Sequence, residues 1–210
     1  MDRIFEDKSF KECRNLYCVY KYLWSRGDNV FCHNIWRFND SDKIDLHIKV
    51  KFPLGNKAQV SQVEGHGVTM DFHREYVCDN DNFIEIAHIL IHESFHARFR
   101  YDLAKTNEMS HTEYKKKFKE FYDNKFGTGF GTDEHFVIIQ GYMHEMAESL
   151  WEFNNKKFKI EDYMGFVWDG LKFYWDDKFS EIQLKDWNEK KVKILNSDPI
   201  KLDCDNILKN

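Results

Sequence analysis

The chain has 210 residues, 17% of them aromatic and only two of them proline, with a formal net charge of -5. That length suits one domain with a sizeable core, and the aromatic content excludes a disordered chain. Both charge signs are mixed along the sequence with no basic stripe, so nucleic-acid binding is not indicated, and Lys115, Lys116, Lys117 and Lys119 read as a solvated helix face. The five cysteines, Cys13, Cys18, Cys32, Cys78 and Cys204, are odd in number and contain no C-x-x-C pair. This argues against a disulfide framework and a zinc ribbon, and for a reducing compartment. The start, Met1 to Lys8, has no apolar h-region, and no later segment approaches eighteen apolar residues without charge. The expected placement is therefore cytoplasmic, with no membrane partner.

Taken in chain order, Leu16, Val19, Tyr20 and Leu23 lie at helical spacing and predict a first helix over about 10–25, stopped by Gly27, Asp28 and Asn29. Residues 45–52 alternate apolar and polar side chains, the period of a half-buried strand, before Pro53 to Asn56 turns the chain. Two further strands are expected at 58–63 and 68–72, giving a small antiparallel sheet. Asp79 to Asn82 supplies N-cap chemistry for the next helix, with Glu85 placed to complete a capping box. Beyond Arg100 the pattern is helical over about 111–125, 133–153 and 161–174, and more weakly over 180–194. The glycines at 127, 129 and 131 follow a helix and lack a Lys-Ser/Thr pair, so they read as a flexible connection rather than a phosphate cradle. These elements make an α+β chain with a mostly helical C-terminal half.

The chemistry is concentrated in His92-Glu93-Ser94-Phe95-His96, an H-E-x-x-H sequence set among Phe83, Ile84, Ile86, Ala87, Leu90, Ile91, Phe95 and Phe99. On a helix, residues i and i+4 share a face, so His92 and His96 can direct two imidazoles at one metal ion while Glu93 reaches its water. Zinc is the expected metal, although imidazole and carboxylate ligands also accept manganese, cobalt or nickel. A catalytic zinc takes three protein ligands and leaves one position open. The candidates for the third are His135, near the start of the 133–153 helix, Glu145 and Glu148 further along it, and His111. Each has a plainer reading as a surface or first-turn residue. His88 lies one turn before His92, but three ligands along about 12 Å of straight helix do not meet at one ion, so it reads as packing.

Residues 82–99 followed by 133–153 resemble small bacterial SprT-like proteins, a group of zincin-type putative metallopeptidases. The matching segments are Cys18-Val19-Tyr20-Lys21-Tyr22-Leu23, Thr69-Met70-Asp71-Phe72, the Ile-Ala-x-x-Leu-Ile-His-Glu-x-x-His run, Ala147-Glu148-Ser149-Leu150-Trp151-Glu152-Phe153, and Trp168-Asp169-Gly170-Leu171. The resemblance implies a zincin-like fold in a single domain, 1–210, with an N-terminal helix and small sheet (1–82) packed on the active-site helix (83–100). A helical part (101–210) would carry the third ligand. On the register of the group, the third ligand falls on His135. Coupling to DNA, known among SprT-like proteases, does not follow, because this sequence has neither a zinc ribbon nor a basic patch.

The leading expectation is a zinc-dependent metallopeptidase acting on a protein or peptide substrate, with His92, His96 and His135 as ligands. Glu93 would serve as general base on a zinc-bound water. Residues 68–72 are the natural strand to pair with an extended substrate. Tyr142 and His144 are candidates to stabilise the oxyanion, each equally readable as packing or surface. Two alternatives remain open: a non-proteolytic, zinc-stabilised binding or regulatory module, and a metal-free helical interaction protein.

Overall fold

The computed structural model describes residues 3–39, 44–52, 54–63, 67–104, 111–126, 133–171, 179–197 and 200–209. In chain order their elements are β1 (Ile4–Glu6), α1 (Lys8–Glu12), α2 (Arg14–Ser25), α3 (Val30–Asn39), β2 (Asp45–Lys51), β3 (Ala58–Val63), β4 (Gly67–His73), α4 (Arg74–Val77) and α5 (Phe83–Ala104). There follow α6 (His111–Phe126), α7 (Glu134–Gly141), α8 (Met143–Phe153), a 3-10 turn (Ile160–Tyr163), α9 (Met164–Asp169), α10 (Glu181–Asn196) and α11 (Cys204–Ile207). They fall into two units, one formed by Met1–Glu108 with Lys201–Asn210 and the other by Met109–Ile200.

In the first unit the period-two pattern gives the expected strands: Leu46 and Ile48 in β2 and Val68, Met70 and Phe72 in β4 are fully buried. The sheet is mixed, however, not antiparallel. Its order is β1-β2-β4-β3, with β1 parallel to β2, β2 parallel to β4, and β3 antiparallel to β4. The short β3–β4 connection enforces a hairpin, but β3 forms at the outer edge and β4 returns between β3 and β2. This corrects the expected role of residues 68–72. β4 is hydrogen-bonded on both sides, so its backbone has no edge to offer a substrate, whereas β3 is an edge strand of the sheet.

Helices cover the apolar face, with Phe10 stacked toward Phe72 (centroids 6.5 Å) and Tyr20 edge-on to Phe31 (5.8 Å). The helix expected over 10–25 is two helices, α1 and α2, meeting at Cys13, whose φ of -81° and ψ of 82° leave the helical region. Helix α3 was not legible as a separate element. It starts where the Asn29 side-chain oxygen accepts from Cys32 N–H (3.0 Å), while the Asn29 amide donates to Leu23 O (2.9 Å).

Cysteine counting misled on one point. Cys13 bonds Cys78 and Cys18 bonds Cys204, leaving Cys32 as a buried free thiol. The bonded pairs are 65 and 186 residues apart. No local spacing announces such pairs, and an odd total is what two disulfides plus one core thiol produce. The second bond holds the terminal segment, with α11, on α2, where Arg14 also pairs with Asp205 (2.5 Å).

The second unit is helical. The helix expected over 133–153 is divided at Tyr142, which has φ of -134° and ψ of -1° between α7 and α8. The helix expected over 161–174 begins as a 3-10 turn and ends at Gly170; its last residues, like the 127–132 connection, lie outside the described residues. Asn154 donates to the Tyr163 hydroxyl (2.8 Å), and Gly165 lets α9 approach α10 so closely that a Cβ there would stand 2.2 Å from Trp187 O. Tyr114, Phe118 and Tyr122 form an aromatic row along α6.

Candidate metal centre

Helix α5 is held at its start by a clamp rather than by the expected capping box. The Asn82 side-chain oxygen takes no hydrogen bond among the described residues, while Glu85 Oε2 accepts from the Asn80 amide (3.3 Å) and Asn80 Oδ1 accepts from Asn82 N–H (2.8 Å). From α2, Asn15 donates to Asn80 O (3.0 Å) and to Asp81 Oδ1 (3.2 Å), beside the Cys13–Cys78 bond. The segment entering the motif helix is therefore fixed by a disulfide and a bridging amide.

About two and a half turns into α5 the polar residues of the motif are buried: His92, Glu93 and His96 are each 8% exposed. Their i, i+4 spacing brings the two imidazoles together, with Nε2 atoms 3.1 Å apart and ring centroids 4.9 Å apart. Two nitrogens bound to one tetrahedral zinc at about 2.0–2.1 Å stand roughly 3.3 Å from each other, so this pair fits the ligation of a common ion with little adjustment. His88 lies further back, 6.1 Å from His92 between ring centroids.

On α7, Asp133 occupies the N-cap position and accepts from His135 N–H (2.9 Å). The same Asp133 oxygen lies 2.9 Å from His135 Nδ1. A carboxylate only accepts, so Nδ1 donates here; in the neutral imidazole the lone pair is then on Nε2, the orientation that metal-ligating histidines take from a carboxylate behind them. The contact of Asp133 with His135 was missed by sequence reasoning. Its signal was an aspartate at a helix start two residues before a histidine. Ligand atoms of His92, His96 and His135 all lie within 4.8 Å of one another. That donor set suits zinc and equally other imidazole-seeking transition ions.

The other candidates fall elsewhere. Glu145, Glu148 and His144 are exposed on α8, and the His111 side chain lies outside the described residues. Tyr142 is buried and its hydroxyl accepts from Lys125 Nζ (3.2 Å). The buried Glu134, next to His135, accepts from the Tyr114 hydroxyl (2.5 Å), which anchors the first turn of α7 to α6.

Comparison of the chain with protein-family models, curated proteins and solved structures gives no match. None of the described helices is long and apolar enough to cross a membrane.

Proposed function

We propose that the protein is a zinc-dependent metallopeptidase of the SprT-like, zincin type that its sequence resembles, with His92, His96 and His135 as ligands. The observation that carries this reading is the convergence of three imidazoles, one of them oriented by Asp133, around a helix that also presents Glu93. Zinc bound there supplies an electrophile that polarises a peptide carbonyl and eases deprotonation of water. Glu93 takes the proton from the attacking water and returns it to the leaving amine nitrogen. Its burial limits competing hydration of the carboxylate. An extended peptide pairs with the outer edge of β3, the strand that packs against α5, so that main-chain hydrogen bonds align the scissile bond along the motif helix.

Two disulfides bear on where this chemistry takes place. A cytoplasmic protein would hold Cys13–Cys78 and Cys18–Cys204 against a reducing thiol pool, and the pair favours an oxidising compartment instead.

The test is metal content of protein purified without added metal, for the wild type, His135→Ala and Glu93→Gln, alongside cleavage of an unfolded protein substrate. Expected are about one zinc per wild-type chain, its loss in His135→Ala, and retained zinc without cleavage in Glu93→Gln. A wild type that takes up no metal even when zinc is offered refutes the proposal. Zinc held without any cleavage, blind to hydroxamates, would favour a structural metal in a binding module.

A further inference from the structure

Residues Ile89 to Ala97 of α5 are buried without interruption, so the helix has no solvent face through the motif. A helix buried on all sides has no solvent-facing stripe to say which way it is rotated about its axis. Yet the rotation decides where His92 and His96 point. A second polar stripe, on a different side of the helix, supplies that information.

Ser94, Arg98 and Asp102 follow one another at i, i+4 and i+8, roughly 140° around the helix from His92 and His96 at 100° per residue. They meet Asn34 and Arg37, one turn apart on α3, which packs along α5. Asn34, fully buried, donates through Nδ2 to Ser94 Oγ (3.0 Å), and Ser94 Oγ donates to Ile91 O (2.6 Å). Asn34 Oδ1 accepts from Arg98 Nη1 (3.3 Å). Arg98 Nε lies 3.8 Å from Asp102 Oδ2, and Arg37 Nη1 donates to Asp102 Oδ1 (3.2 Å). The network uses both ends of the Asn34 amide, so it fits one rotation of α5. Turning the helix by one residue would leave a hydroxyl, an amide and a guanidinium facing apolar neighbours such as the Phe38–Tyr101 ring pair.

We infer that the Asn34–Ser94–Arg98–Asp102–Arg37 network is a rotational key that sets the direction of the His92 and His96 imidazoles. Asn34 and Arg98 are positioning residues; neither touches the metal or substrate. The consequence for the metal rests on the zinc reading above, whereas the setting of the helix does not.

The test is the double variant Asn34→Leu/Ser94→Ala, which removes both partners of the central hydrogen bond and also takes the Asn34 acceptor from Arg98. Its urea midpoint is recorded with two readouts. Hydrogen exchange of the amides at 89–98 is expected to speed up at least tenfold, with the amides of β4 unaffected. Cobalt(II) affinity is expected to fall at least tenfold, with a shifted visible spectrum. Unchanged exchange in α5 overturns the key. Faster exchange with unchanged cobalt affinity and spectrum overturns its role in directing the histidines. A wild type that binds no cobalt or zinc defeats the metal reading alone, and the exchange result still decides the key. Should the double variant fail to fold, Ser94→Ala by itself, which keeps the Asn34–Arg98 bond, carries the same readouts.

Discussion

Removal of the Cys18–Cys204 bond is expected to destabilise the first unit more than almost any core substitution. The bond closes a loop of 186 residues, and Cys13–Cys78 closes one of 65. In the chain-entropy model, constraints of these lengths are worth about 5 and about 4 kcal/mol as ceilings, and losses on removing native disulfides run at about 2–5 kcal/mol. Against a total stability of about 5–15 kcal/mol, either loss is a large fraction. Cys18→Ser/Cys204→Ser should therefore lower the urea midpoint strongly, and reductant should lower it in the wild type, which loses both bonds, and again in the variant, which still holds Cys13–Cys78. Thiol titration gives an independent check. Denatured, unreduced chain should show one reactive thiol, Cys32, out of the five cysteines. In the native protein that thiol should stay silent at neutral pH, because burial pushes its pKa up to about 11. Five titratable thiols, together with a midpoint indifferent to reductant, would refute the disulfide framework and restore the reducing compartment expected from cysteine spacing.

Asp133→Asn keeps the helix cap and the acceptor for His135 while removing the charge behind the imidazole. Metal affinity should fall by about tenfold, with thermal stability close to wild type, as metal titration and calorimetry would show; an unchanged affinity would strip Asp133 of its orienting role. Gly165→Ala places a methyl group where Trp187 O stands 2.2 Å away. Parting α9 from α10 should cost on the order of 2–4 kcal/mol, and a denaturation curve indistinguishable from wild type would show that the two helices are not held that closely.

What could be read along the chain was whatever the local period carries. The H-E-x-x-H helix was legible because i and i+4 neighbours are set by helix geometry alone, and β2 because alternation marks a pleated, half-buried segment, whereas β4 is buried on both faces. The break at Tyr142 and the separation of α1 from α2 were not, because apolar residues continue across both boundaries and only the backbone angles interrupt the helices. Asp133 stood in plain view as a helix cap, but its second task, accepting from His135 Nδ1, depends on a side-chain rotamer.

The sequence by itself determined the strands β2 to β4, the motif helix, the pairing of His92 with His96 and the presence of Glu93 between them, since those follow from residue identity and short-range spacing. Tertiary structure decided the order of the strands, which makes β3 rather than β4 an edge, the partners of four cysteines, and the contact of Asn34 with Ser94. The cysteine partners and the Asn34–Ser94 pair stand 60 to 186 positions apart. At that distance the choice of partner is made by which surfaces pack when the whole unit folds, and no period in the sequence encodes it.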